Sequence, residues 1–418
     1  MYLNVNINQM LKVFTSALLL SSAVMATPAP AAQPEPLGKW IVKLKQDGNP
    51  LKKREFDLSF AQEILSKDNQ KPASFVGSPK QEKSEIFHEF DALDSFSGFA
   101  FKSSLEAMKE IAQNPRVEYI KRDAKVKIYD SQQNPTWGIN RVDQRSLPLD
   151  STYKYPTEAG SGVTVYVIDT GITAQHPEFE GRASEGGSFV NGVIGTSAKD
   201  NHGHGTHCAG TVASKTYGVA KKAKVVGLKV LGDDGTGSDA GVIAALNWVA
   251  KNGIPNKSVA SMSLGPDFET CVEVARPDHP EDEECNSKAV RDAVSSLVKL
   301  NIPVVVAAGN DARNACDGAP ASEPLAYTVA ASTSSDRLAS FSNFGTCVDI
   351  IAPGQSITST WLNNRTNTIS GTSMACPHVA GGFAVILSKK QYTSYTDAYA
   401  DMSSAASVNK IKSLNSAT

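Results

Sequence analysis

Three short segments of this 418-residue chain hold the residue types that hydroxyl chemistry requires. Asp169 stands in VIDTGITAQHPEF, His204 in GHGTHCAGTV and Ser373 in SGTSMACPHVAG. A serine hydroxyl is a poor nucleophile at neutral pH and needs a neighbouring base to take its proton. An imidazole can be that base, and a carboxylate at the end of a buried strand can orient it and stabilise its charged form. Ser373 lies among small residues, Gly371-Thr372-Ser373-Met374-Ala375, ahead of Pro377, which suits the first turn of a helix. This predicts Ser373 at a helix N-terminus, where backbone N–H groups and the helix dipole favour a developing negative charge. His204 sits between two glycines at the start of another helical stretch, HCAGTVAS, and Asp169 closes an apolar run.

Other chemistries find less support. His202, His204 and His207 are close in sequence, but no acidic residue completes an HExxH zinc pattern among them. Gly203-His204-Gly205 falls short of a GxGxxG fingerprint, and no GxxxxGK[ST] loop occurs, so nucleotide binding is not expected. None of the six cysteines forms a CxxC pair. With 41% hydrophobic and 20% charged residues the composition is that of a globular protein. Residues 1–129 carry a net charge of +3 and residues 130–418 a net −5, with no basic stripe for a nucleic acid.

The elements that must position these groups follow from the apolar runs. Lys12 and the core VFTSALLLSSAVMA, followed by TPAPAA, read as a secretory signal peptide over residues 1–26. No later run reaches the roughly twenty apolar residues of a membrane span. Residues 37–128 read as a small α+β domain with strands at Trp40–Leu44, Ser97–Phe101, Arg116–Ile120 and Ala124–Ile128 and a helix at Leu105–Ala112. From Asn134 onward, apolar runs at Val163–Ile168, Lys224–Val230, Ser258–Leu264 and Ile302–Ala307 alternate with helical stretches such as Ala240–Lys251 and Lys288–Leu300. Such alternation predicts an α/β fold, a parallel sheet with helices on both faces. Its reactive groups gather at the carboxyl ends of the strands, and Asp169, Gly265 and Asn310 each sit just past such a run.

The three segments, in the order Asp, His, Ser, resemble the subtilisin-like serine proteases, most closely the proteinase K subgroup, over about Trp137 to Ala384. The resemblance implies a subtilisin-like three-layer fold with a central, mostly parallel sheet, preceded by a small α+β propeptide domain. It implies Ser373 as nucleophile, His204 as general base and then acid, and Asp169 as the orienting carboxylate. Asn310, in AAGN, matches the side-chain donor of the oxyanion hole, paired with the Ser373 N–H. Ser263-Leu264-Gly265 resembles one edge of the substrate cleft and Gly235-Thr236-Gly237 the facing edge, with Ala307-Ala308-Gly309 flooring a roomy apolar P1 pocket. A peptide would bind between the edges as an added strand. WIVKL, SGFAF and NPRVEYIKRDA resemble the inhibitory propeptide of such enzymes. The domains are then a signal peptide at 1–26, an inhibitory propeptide at 37–129 and a peptidase domain at 130–418. The tail Lys125–Tyr129 would enter the cleft, and Tyr129 would be the P1 residue of autocatalytic cleavage.

The resemblance also implies a Cys316–Cys347 disulfide. Cys271 and Cys285 flank an insertion, DFETCVEVARPDHPEDEEC, that the subgroup lacks, and a bridge closing that loop is expected. Cys208 and Cys376 are expected to stay free and buried near the site, with a bridge between them as the minor reading. The acidic run from Asp278 to Glu284 in the insertion reads as a solvated loop, the alternative being that it leans over the cleft beside Ser263–Gly265 and favours basic residues in the substrate. No catalytic metal or organic cofactor is implied, but Pro324 and Ala326 carbonyls with the Asp349 carboxylate match a family calcium site of hard oxygen donors. Expected partners are protein and peptide substrates and the chain's own propeptide, with no nucleic acid and no membrane. The chain is expected to be a secreted monomer, with a vacuole-like compartment as the alternative. The competing functional readings are an inactive binding protein that keeps the fold and a permanently propeptide-inhibited form. Two departures stand out: Gly265 is followed by Pro266-Asp267 in place of further glycines, and the usual Gly-Thr-Pro-Asn-x-Leu ending is missing, which implies altered last elements.

Overall fold

A computed structural model describes residues 37–45, 58–70, 83–93, 96–123, 129–190, 194–268, 271 and 284–412. The expected signal peptide, residues 125–128 of the expected propeptide tail and residues 278–283 of the acidic run lie outside them. The chain divides into two units, Met1–Val126 and Lys127–Thr418.

The first unit contains β1 (Gly38–Leu44), α1 (Ser59–Gln70), β2 (Glu85–Leu93), β3 (Phe96–Ser103), α2 (Leu105–Ala112) and β4 (Val117–Arg122). Its strands pair in the order β2-β3-β1-β4, each pair antiparallel. Val42, Phe99 and Phe101 of the sheet are fully buried against Ala61 and Leu65 of α1 and Ile111 of α2. Apolar residues thus line one face of each helix and the sheet surface it covers. Ser104 caps α2 by accepting the Ala107 N–H, and its own hydroxyl donates to Asp68 of α1 at 2.6 Å.

The second unit opens with β5 (Tyr129–Gln133), α3 (Trp137–Val142) and β6 (Thr152–Pro156). The expected strand at Ala124–Ile128 lies outside the described residues; instead β5 starts at Tyr129 and pairs antiparallel with β6. There follow β7 (Thr164–Asp169), β8 (Ala183–Ser188), α4 (His204–Ala213), β9 (Lys224–Lys229), α5 (Asp239–Asn252) and β10 (Ser258–Met262). The unit continues with α6 (Lys288–Lys299), β11 (Val304–Ala307), β12 (Tyr327–Ser332) and β13 (Ile350–Pro353). It closes with β14 (Ile357–Thr360), β15 (Thr366–Ile369), α7 (Thr372–Lys389) and α8 (Tyr395–Ala405).

Seven strands form one parallel sheet in the order β13-β12-β11-β10-β7-β9-β8. Strand β10 is buried along its whole length, and only the first residue of β7 is partly exposed, as strands covered on both faces must be. On one face Val165, Val167 and Val259 pack with Cys208, Val212, Ala380 and Phe383 of α4 and α7. On the other, Tyr166, Ile168 and Ala260 pack with Val242, Leu246, Val294 and Leu297 of α5 and α6. The result is the expected three layers. From β7 the chain winds outward to β8 and β9 and then returns to β10 on the other side, so the winding direction reverses at β7. The carboxyl ends of strands flanking such a reversal form the natural crevice of an open α/β sheet. The last element, α8, docks through Tyr399, whose ring meets those of Tyr327 and Phe383 at 5.0 and 5.4 Å. Among the described residues no helix is long and apolar enough to cross a membrane.

Candidate active site

Asp169 ends β7 and is fully buried. Its Oδ1 accepts hydrogen bonds from His204 Nδ1 at 2.7 Å and from the Thr170 N–H at 2.7 Å. His204 is the first residue of α4. The turn that delivers it requires glycine: Gly203 has φ +106°, and a Cβ there would lie 2.5 Å from the Trp361 ring. A Cβ at Gly205 would collide with the Gly171 carbonyl. Burial disfavours the imidazolium, but the Asp169 carboxylate outweighs it and holds the His204 pKa well above the ordinary 6.5.

Ser373 is the second residue of α7. Pro377 falls inside this helix, not in its first turn as expected, because α7 begins as far back as Thr372. The proline leaves the carbonyl four residues earlier, that of Ser373, without its helical donor. That oxygen instead accepts the Ser263 hydroxyl at 2.9 Å and the Cys208 thiol at 3.4 Å. The hydroxyl of Ser373 donates to Ser263 O at 3.2 Å. Cys208 Sγ also lies 3.9 Å from His204 Nδ1, so it joins the helix that starts at His204 to the one that starts beside Ser373. Burial pushes the Cys208 thiol up and the Cys376 thiol up to about 12, and both cysteines are free and neutral.

Asn310 follows β11. Its Oδ1 accepts the Thr372 N–H at 2.8 Å and the Thr372 hydroxyl at 3.0 Å. Those bonds leave the Nδ2 donor of the amide without a partner of its own among the described residues, close to the Ser373 N–H across Gly371. Two neighbouring donors are what a developing oxyanion needs. Asn343 pins this loop: its Nδ2 donates to Ala308 O, and its Oδ1 accepts the N–H groups of Asp311 and Arg313.

Ala307, Ala308 and Gly309 line a cavity together with Leu264, Gly265 and Ser373. Pro266 and Phe268 also line this cavity and pack over Gly318. Arg313 covers the Phe268 ring at 4.1 Å. A second cavity brings Gly235, His204, Ser263, Leu264 and Gly265 together. Gly235 thus faces the site, whereas Thr236 and Gly237 lie on the exposed stretch beside it, with Thr236 Oγ1 donating to Asp234 at 2.9 Å.

Cys316–Cys347 and Cys271–Cys285 are disulfide-bonded. Among the described residues the only cluster of three metal-ligating groups is Asp169, His204 and Cys208. His207 is buried, and its Nε2 donates to Ile357 O at 3.0 Å. Asp349 is exposed beside β12. Its Oδ2 accepts the Thr328 N–H at 2.7 Å, two residues past Ala326, and partial desolvation raises its pKa.

The model of the family described as the subtilase family, Peptidase S8, matches residues 160–416. The chain belongs to the subtilase family. A second family model, peptidase inhibitor I9, matches residues 39–129. A cuticle-degrading protease of Metarhizium anisopliae is 46% identical over 293 residues, covering 69% of this chain and 70% of that protein. The extracellular serine proteinase of Thermus sp. (strain Rt41A) is 39% identical over 382 residues, 88% of this chain and 87% of that protein. Among solved structures, a cold adapted subtilisin-like serine proteinase matches with TM-score 0.61 and 42% identity, over 67% of this chain and 95% of that one.

This subtilase is therefore a serine endopeptidase with an I9 propeptide, and its chemistry requires no cofactor. Sequence reasoning did not single out Thr170, Asn343 or Phe268. Asn343 carries no local motif because its work is done on backbone groups of a loop 30 to 35 residues away. Phe268 lies in the insertion, where the departure at Pro266 was the available signal.

Proposed function

We propose that this subtilase is made as a secreted zymogen and cleaves peptide bonds through an acyl-enzyme on Ser373. His204 takes the proton of the Ser373 hydroxyl as it attacks the scissile carbonyl, and Asp169 steadies the imidazolium that forms. Asn310 Nδ2 and the Ser373 N–H receive the negative charge of the tetrahedral intermediate. His204 then gives its proton to the leaving amine, and water, deprotonated by the same imidazole, releases the acyl group. The 2.7 Å contact between Asp169 and His204, set beside an Asn310 amide with its donor side free, is the observation that carries this reading.

The substrate lies as an extended strand between Ser263-Leu264-Gly265 and Gly235-Thr236-Gly237. Its P1 side chain enters the pocket floored by Ala307-Ala308-Gly309 and walled by Phe268, which favours apolar residues. The segment over residues 37–129 acts as the intramolecular inhibitor, with cleavage at Tyr129–Asp130. Tyr129 pairs with Pro156 and Asp130 with Tyr155, so cleavage requires β5 to be unpaired from β6 at that moment. Pro324 and Ala326 carbonyls with the Asp349 carboxylate hold a structural calcium. The Asp349 carboxylate and two backbone carbonyls are hard oxygen donors of the kind such an ion takes. The mature enzyme acts as a monomer, with no nucleic-acid or membrane partner. The inactive-protein reading would require loss of Asp169, His204, Ser373 or Asn310, and all four are present.

The test is parallel purification of wild type and Ser373→Ala, with a denaturing gel and a peptide anilide bearing an apolar P1. A wild-type band beginning near residue 130 that cleaves the anilide, beside a full-length inert variant, supports the proposal. Two full-length, soluble and inert proteins refute it.

A further inference from the structure

Asp200 is a buried carboxylate, 2% exposed, that the triad chemistry leaves without a role. Its Oδ1 accepts the Thr170 hydroxyl at 2.9 Å and the N–H groups of His202 and Gly203 at 3.0 and 2.8 Å. Its Oδ2 accepts the Thr206 N–H at 2.9 Å and the Thr206 hydroxyl at 2.6 Å. Thr170 Oγ1 in turn accepts the Gly205 N–H at 2.9 Å, and Thr206 Oγ1 accepts the Thr173 N–H at 2.9 Å.

These bonds join two elements whose relative placement the reaction depends on. Thr170 directly follows Asp169 at the end of β7, and Gly205 and Thr206 directly follow His204 at the start of α4. A helix leaves its first N–H groups without internal partners, and the residue before it normally supplies a capping side chain. Here that residue is Gly203, which has none. The N–H groups of Gly205 and Thr206 are taken instead by Thr170 and Asp200. The helix is thereby capped by the strand that carries Asp169 and by one carboxylate that grips both sides. The negative charge lies at the positive end of α4, where it is favoured.

We propose that Asp200 is a positioning residue: through Thr170 and the first turn of α4 it sets the His204 ring against Asp169. The inference rests on the roles given to Asp169 and His204 above. Misplacing a catalytic group by about 1 Å costs on the order of a hundredfold in rate. In Asp200→Asn one oxygen becomes an NH2 group; if it faces the Thr206 N–H, two donors oppose each other. kcat is expected to fall on the order of a hundredfold, with KM changed less than about twofold.

The experiment uses the matured enzyme, with the active fraction counted by active-site titration. It compares wild type, Asp200→Asn, Thr170→Val, Asp169→Ala and the Asp200→Asn/Asp169→Ala double variant, following kcat, KM and the pH profile. Three results are expected. kcat falls with KM held. The acid limb of kcat/KM moves to lower pH as Asp169 loosens from His204. In the Asp169→Ala background Asp200→Asn costs much less than it does alone. A folded Asp200→Asn enzyme with wild-type kcat, or a full multiplicative loss with an unmoved acid limb, overturns the proposal. If Asp200→Asn does not fold, Thr170→Val decides: it removes a single hydroxyl, and an unchanged kcat overturns the proposal. Wild-type rates in Asp169→Ala would instead sink the triad assignment, so the two failures are distinguishable.

Discussion

Two buried histidines outside the triad make the peptidase unit sensitive to acid in a way that can be worked out from their surroundings. His378 is 2% exposed, and burial pushes its pKa down to about 4 from 6.5. Its Nδ1 donates to Met374 O at 2.8 Å, and its Nε2 lies close beside Gly138, so a second proton would put a charge in a tightly packed region. His207 is fully buried and is likewise pushed down to about 4, chiefly by burial. In the unfolded chain each ring takes up its proton near pH 6.5, and in the folded protein only near pH 4. Between those values the unfolded state binds more protons, so stability falls as pH falls. From pH 7 to pH 5 the loss is about 2 kcal/mol per histidine, or about 4 kcal/mol for the two. The assay is urea unfolding followed by tryptophan fluorescence, in a Ser373→Ala background that removes self-digestion. Comparing His378→Leu with its parent, the absolute stability will differ, but the informative quantity is the change between the two pH values. The parent should lose about 2 kcal/mol more than His378→Leu. Equal losses would refute the reasoning, because they would mean that His378 takes up its proton in the folded state as easily as in the unfolded one.

Four further outcomes are expected. Asn310→Ala should lower kcat by about a hundred- to a thousandfold with KM little changed, since the donor acts on charge that exists only in the transition state; a loss confined to KM contradicts this. The His204 pKa is held above 6.5, and the base must be neutral to act. The acid limb of kcat/KM should therefore lie above pH 6.5, and Asp169→Asn should lower kcat by about ten-thousandfold. Chelation of calcium should lower the melting temperature of wild type but not of Asp349→Asn, and equal shifts would remove Asp349 from the ion's ligands. Replacing Cys316 and Cys347 by serine opens a loop with a sequence separation of 31 and should cost about 3.5 kcal/mol, measured by urea unfolding.

Much of the fold was legible because its signals are local. A buried parallel strand reads as a short apolar run, and β7, β9, β10 and β11 all begin or end within two residues of such runs. The proposed triad residues stood out because each adjoins a strand end or helix start whose turn demands small residues, as Gly203 and Gly205 do beside His204. What was not legible depends on contacts between distant segments. Nothing near Pro377 tells that the carbonyl it orphans is satisfied by Ser263 and Cys208, 110 and 165 residues away. Asp200 lies only four residues from His204, yet its role arises from where its oxygens point, at the backbone of α4 and the end of β7. Strand β5 was hidden because YDSQQ has no apolar run and exists through its pairing with β6. The wall formed by Phe268 depends on the fold of an insertion for which the resemblance offers no template.

The most direct test of the central claim is the mass of the matured enzyme after exposure to a serine-directed fluorophosphonate, with peptide mapping of the adduct. The account predicts a single adduct on Ser373 in wild type and none in His204→Ala over the same time. Labelling at another serine, or equally fast labelling of Ser373 without His204, would contradict it.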